Sequence, residues 1–148
     1  MTTVKISVDW QDGMLLQATG ESSFPVAIDS SPEFGGRNLG ARPMELILMG
    51  MAGCTALDVL SILGKMRVQL TAFTVDVEAE RAPTDPKVFT SSVLTYRFRM
   101  AEVNEEKILR AITLSLEKYC SAVNTLKTAM PVHWRMEING VPGELKPV

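Results

Sequence analysis

Pro43-Met44-Glu45-Leu46-Ile47-Leu48-Met49-Gly50-Met51-Ala52-Gly53-Cys54-Thr55-Ala56-Leu57-Asp58-Val59-Leu60-Ser61-Ile62-Leu63-Gly64-Lys65 is the stretch that decides the fold. Pro43 suits the first helical position, where its missing N–H costs nothing, and Glu45 in the first turn complements the dipole. One helix from Pro43 to about Lys65 is therefore predicted. It is apolar nearly all round, and such a helix needs cover on every side. Glu45 and Asp58, with no basic flanking loops, argue for a buried core helix and against a membrane span. A 148-residue chain has few other elements to wrap it, so a second subunit is expected to supply the rest. Gly50 and Gly53 would allow close backbone approach there. Against this greasy background Cys54, Asp58, Ser61 and Lys65 form one polar stripe, which calls for a site or an interface network.

Upstream, Val4 to Trp10 alternates apolar and polar residues, Asp12-Gly13 is a hairpin turn signal, and Met14 to Thr19 returns as a second strand. Pro25 to Asp29 adds a short third. Ser30 to Arg42, rich in Gly, Pro and Ser, reads as a flexible loop. Downstream, Phe73, Val75, Val77 and Ala79 alternate with polar residues, and Leu94, Tyr96, Phe98 and Met100 mark a strand pairing with them across the Pro83 to Pro86 turn. Asn104 reads as an N-cap opening an amphipathic helix with apolar face Ile108, Ile112, Tyr119, Val123, Leu126 and Met130, stopped by Pro131. His133 to Ile138 is a last strand. The order predicts a single α+β domain over 1–148, with antiparallel sheets, a buried central helix and a second amphipathic helix.

Composition narrows the class. Hydrophobic residues make up 46% and charged residues 22%, as in a globular chain. A net charge of −2 gives no electrostatic footprint for nucleic acid or an anionic membrane. The first residues show neither an apolar core segment nor a cleavage site, so a cytoplasmic address is expected. There, two cysteines are more often catalytic, redox-active or inert than a structural disulfide. His133, the single histidine, does not make a zinc site with two distant cysteines. Of the nine methionines, Met44, Met49 and Met51 at the central helix are read as core filler rather than an oxidation sink or an adaptable binding surface. No phosphate loop or serine elbow is visible.

Two cysteines, Cys54 and Cys120, each in a helical context, suggest thiol redox chemistry: a thiolate attacks a peroxide, and a second thiol condenses with the sulfenic acid. The bland alternatives are a small buried hydrophobe at Cys54 and a solvated helix side at Thr113, Glu117, Cys120 and Asn124. Cys54 lies roughly three turns into the helix, beyond the dipole's main reach, so any cation stabilising its thiolate comes from elsewhere. Arg37, in the loop before the helix, is the candidate, with Arg42 as rival.

Ser31-Pro32-Glu33-Phe34-Gly35-Gly36, Pro43-Met44-Glu45-Leu46, Gly53-Cys54-Thr55-Ala56-Leu57-Asp58-Val59-Leu60-Ser61-Ile62-Leu63 and Glu117-Lys118-Tyr119-Cys120-Ser121 together resemble the OsmC/Ohr family of osmotically inducible and organic-hydroperoxide-resistance proteins. The resemblance is closest to its branch of small OsmC-like proteins and covers nearly the whole chain. It implies an intertwined homodimer with two interfacial active sites, acting as a thiol peroxidase on organic hydroperoxides in oxidative stress defence. No metal, haem or flavin is implied, and an external dithiol such as a lipoyl group is the reductant. By the same resemblance Cys54 is the peroxidatic cysteine, Cys120 the resolving one, an arginine (Arg37 here) stabilises the thiolate, and Glu45 holds that arginine. Better-known members place the glutamate directly after the proline; here Met44 takes that place. On an ideal helix Glu45 points roughly 180° away from Cys54. Two readings of other classes stand beside this one: a dimer binding an apolar small molecule, favoured by Asp58 beside Cys54, and a stress protein whose thiols only sense oxidant.

Overall fold

The computed structural model describes residues 2–148. The chain forms two compact units, one up to Met49 and one from Gly50 to Val148. In the first, β1 (Ser7–Asp12), β2 (Leu15–Thr19) and β3 (Val26–Ile28) make an antiparallel sheet in the order β1-β2-β3. Gly13 turns the first hairpin with φ +58°, and Trp10 donates its indole N–H to the Gly13 carbonyl at 2.8 Å, keeping its ring 72% exposed. The Gly-rich loop before the helix is not slack. Asp29, buried at the end of β3, accepts the backbone N–H groups of Ser30, Arg37 and Leu39. Gly36 and Gly40 pass so close to Ser30 and Ala27 that a Cβ on either would overlap backbone atoms.

Helix α1 (Pro43–Lys65) runs as predicted, and the boundary between the units falls within it. From Gly50 onward, β4 (Ala72–Arg81) pairs antiparallel with β5 (Phe89–Arg99), with Phe73 opposite Phe98 and Val75 opposite Tyr96. Arg97 on β5 pairs with Asp76 on β4 and with Glu137 at 3.0 Å, tying three strands together. β6 (Val132–Ile138) follows, with two short strands, β7 (Val141–Pro142) and β8 (Lys146–Pro147), on its antiparallel side.

The α+β class holds, with one departure: β6 lies parallel to β5. The residues between them are helical, and a crossover of that length brings the chain back in the same direction, which a tight turn cannot do. That crossover is α2 (Glu105–Leu114), capped by the Asn104 side chain accepting the Lys107 N–H at 3.1 Å, then a wide π turn (Ser115–Tyr119), then α3 (Ser121–Leu126). The single amphipathic helix expected here is thus interrupted. Cys120 N–H reaches back five residues to the Ser115 carbonyl at 2.8 Å, which inserts an extra residue in the turn and shifts the helical face. Leu116 consequently turns inward, and Tyr119, expected in the core, is 51% exposed.

Helix α1 is less covered than the core-helix reading required. Met51, Thr55, Val59 and Leu63 are buried, whereas Leu57 is 70% exposed and Met49, expected to fill the core, is 55% exposed. Gly50 and Gly53 meet nothing within 4 Å of where a Cβ would stand, so they make no close approach among the described residues. By length and mean hydropathy α1 would pass for a membrane span. Yet Thr55 at its middle hydrogen-bonds Tyr96 on β5 and Ser115 in the π turn, the attachment of a helix packed on protein.

Candidate active site

Cys54 sits half-buried on α1, one turn before Asp58, on the side that turns Thr55 and Asp58 toward β5 and the π turn. Cys120 is wholly buried at the break between the π turn and α3. It does not lie within a helix: its backbone is extended, and its Sγ caps α3 by accepting the Val123 N–H at 3.4 Å. The solvated-side reading of Cys120 therefore fails, because the wide turn rotates this residue inward. The structure brings the two cysteines near each other, close enough for the Cys54 sulfur to act on the Cys120 thiol. Burial pushes the Cys120 thiol up to about 11, and the adjoining Cys54 sulfur and the Asp58 carboxylate act in the same direction. At neutral pH Cys120 is a protonated thiol.

Around the pair runs a polar chain that no sequence spacing announces. Tyr96 Oη lies 2.8 Å from Thr55 Oγ1, Thr55 Oγ1 lies 2.7 Å from Ser115 Oγ, and Ser115 donates to Asp58 Oδ2 at 2.9 Å. Thr55 and Tyr96 were read only as helix and strand positions, and Ser115 not at all. Burial also pushes Tyr96 above the ordinary phenol range, so its hydroxyl stays a donor.

The other two candidates have partners within the N-terminal unit. Arg37 pairs with Asp12 at 3.2 Å, its guanidinium reaches the Asp12 carbonyl, and its backbone N–H is held by Asp29. Its loop is pinned where the sequence suggested freedom to fold over a thiol. Those backbone hydrogen bonds, led by Leu39, hold the Asp29 carboxyl below its ordinary value. Arg42 reaches the Gly40 carbonyl and Asn38. Glu45 accepts the backbone N–H of Arg42 at 3.1 Å, the reciprocal arm of a helix cap. That bond helps to start α1.

Among the described residues no cluster of three or more His, Cys, Asp or Glu side chains converges as metal ligands. A separate concavity of about 670 Å³, lined by Met66, Lys107, Arg110, Trp134 and Lys146 among others, includes neither cysteine.

Residues 35–135, from the Gly-rich loop through both cysteines, match the family described as OsmC-like protein. The chain belongs to the OsmC family. Protein YhfA of Escherichia coli K12 is 30% identical over 131 residues, covering 88% of this chain and 95% of the relative. Among solved structures, an OsmC-like protein from Mycoplasma pneumoniae superposes with TM-score 0.77 at 15% identity, covering 93% of this chain and 97% of that one. An organic hydroperoxide resistance protein from Legionella pneumophila superposes with TM-score 0.66, also at 15% identity, over 92% of this chain and 97% of that one. At such identities these structures establish a shared fold. The OsmC fold thus accounts for the order of elements and for the pairing of α1 with the cysteine-bearing turn.

Proposed function

We propose that this OsmC family member is a cysteine peroxidase that reduces organic hydroperoxides. The observation that carries the reading is the placing of a half-buried thiol, Cys54, near a wholly buried one, Cys120. The Cys54 thiolate attacks one oxygen of the hydroperoxide, the O–O bond breaks, and the departing alkoxide takes a proton to leave as alcohol. The sulfur has then lost two electrons and carries the hydroxyl as a sulfenic acid. Cys120 attacks it, forming the Cys54–Cys120 disulfide and releasing water. An external dithiol, such as a lipoyl group, restores both thiols by disulfide exchange. The burial of Cys120 suits this order, since oxidant meets Cys54 first. The fold shared with a protein named for organic hydroperoxide resistance supports the same chemistry.

The reading includes a homodimer in the cytoplasm. It is supported by the uncovered apolar residues of α1, Leu57 and Leu60 among them, and by Gly50 and Gly53, which leave open space on the helix surface. Stopped-flow oxidation of the reduced protein by cumene hydroperoxide and by hydrogen peroxide, counting thiols, tests the reaction. Wild type is expected to lose two thiols rapidly, Cys54→Ser none, and Cys120→Ser only one, leaving a trapped sulfenic acid. Slow, unselective oxidation in all three proteins overturns the proposal. It would favour binding of a small molecule, for which the concavity beside Trp134 is a ready place.

A further inference from the structure

Asp58 stands beside both thiols without a part in the reaction above. Its surroundings are directional. A carboxylate only accepts, so the single Ser115 hydroxyl proton is committed to Asp58 Oδ2. Thr55 must then donate to Ser115, and Tyr96 to Thr55, so three hydroxyls point in series toward one carboxylate oxygen. That series fixes Asp58 in place and leaves its Oδ1 without a hydrogen-bond partner among the described residues. Ser115 also binds the second cysteine, accepting the Cys120 N–H on its carbonyl at 2.8 Å, and Cys54 lies one turn before Asp58 on α1. The titratable groups facing Asp58 are Cys54 on its own helix, Cys120 after the π turn and Tyr96 on β5. Among the described residues no cation pairs with it.

We propose that Asp58 is the base of the disulfide-forming step, taking the S–H proton of Cys120 as that sulfur attacks the Cys54 sulfur. The proton then leaves with the departing hydroxyl, so that Cys54–SOH and Cys120–SH become a disulfide and water. This rests on the two-cysteine reading of the site. The need for a base follows from the Cys120 environment: it is wholly buried, and burial holds its thiol in the protonated, unreactive form at neutral pH. A bystander carboxylate gives the opposite sign. Its negative charge helps keep Cys120 protonated, so a bystander's removal would acidify Cys120 and speed the attack.

A dithiobis(nitrobenzoate) reagent separates the two roles. It enters at the accessible Cys54, releasing one thionitrobenzoate, and Cys120 then displaces the second from the mixed disulfide. In Asp58→Asn the second release is expected to be about 100-fold slower at neutral pH and to climb steadily with pH. Asp58→Glu should recover part of the rate, and Ser115→Ala should fall between wild type and Asp58→Asn. A second release in Asp58→Asn as fast as wild type, or faster, overturns the inference, as does a wild type that releases only the first equivalent. Hydroperoxide takes no part in this assay. Indifference of wild type to cumene hydroperoxide would overturn the peroxidase reading alone, while the release rates decide Asp58.

Discussion

Cys120 is a nucleophile stored in its unreactive form, and that storage has a thermodynamic signature. Its thiol ionises near 9.0 in an unfolded chain and at about 11 in the folded one, so between these values the native state binds more protons. Stability is therefore complete below the lower value and falls as pH rises through the window. Urea unfolding on either side of it should show a drop in midpoint that is smaller in Cys120→Ala than in wild type, the remainder coming from buried Tyr96, whose hydroxyl is raised in the same direction. An equal drop in both would place the Cys120 thiol in an ordinary environment. Sequence alone brought Cys54 and Cys120 together through their contexts, but it read the face of Cys120 as a solvated alternative. The reason is physical: a 3.6-residue period has no term for a π turn, and one inserted residue rotates every later side chain. Asp58 stood out as a carboxylate in an apolar helix, whereas its partners Thr55, Ser115 and Tyr96 come from three elements that no local spacing connects.

Helix α1 is held at its middle through Thr55, whose hydroxyl joins β5 to the π turn. Thr55→Val keeps the shape and removes the hydroxyl that bridges Tyr96 and Ser115, leaving the buried Tyr96 hydroxyl without its acceptor while Ser115 keeps Asp58. A loss of about 1–3 kcal/mol is expected from denaturant unfolding. A change inside the error of extrapolation would mean that water replaces the bridge. The bounds of α1, the β4–β5 hairpin and the Asn104 cap were legible because each rests on local chemistry: Pro43 at a first turn, strict alternation, an Asn side chain on Lys107 N–H. The parallel pairing of β5 with β6 was not read, although a strand, a helix and a strand in succession is the arrangement that permits it. The loop before α1 was read as free because its glycines are visible in sequence, while the Asp29 carboxylate that gathers three of its N–H groups is not.

At the scale of the molecule, the cover that α1 lacks is the largest debt left by the sequence pattern. Leu57, 70% exposed on an apolar helix, is the residue whose change should be felt there. Leu57→Asp places a charge on that surface, and in the proposed homodimer sedimentation should then find monomers where wild type sediments as a dimer. A monomeric wild type would instead leave α1 a solvent-facing helix. The two tryptophans carry a different consequence. Trp10, in the N-terminal unit, holds its indole in water with its N–H on the Gly13 carbonyl. Trp134, in the C-terminal unit, is buried against Tyr96 with the Lys146 ammonium over its ring. Their intrinsic emission is therefore split by colour, red from one unit and blue from the other, so an unlabelled sample reports separately on the two halves of the chain.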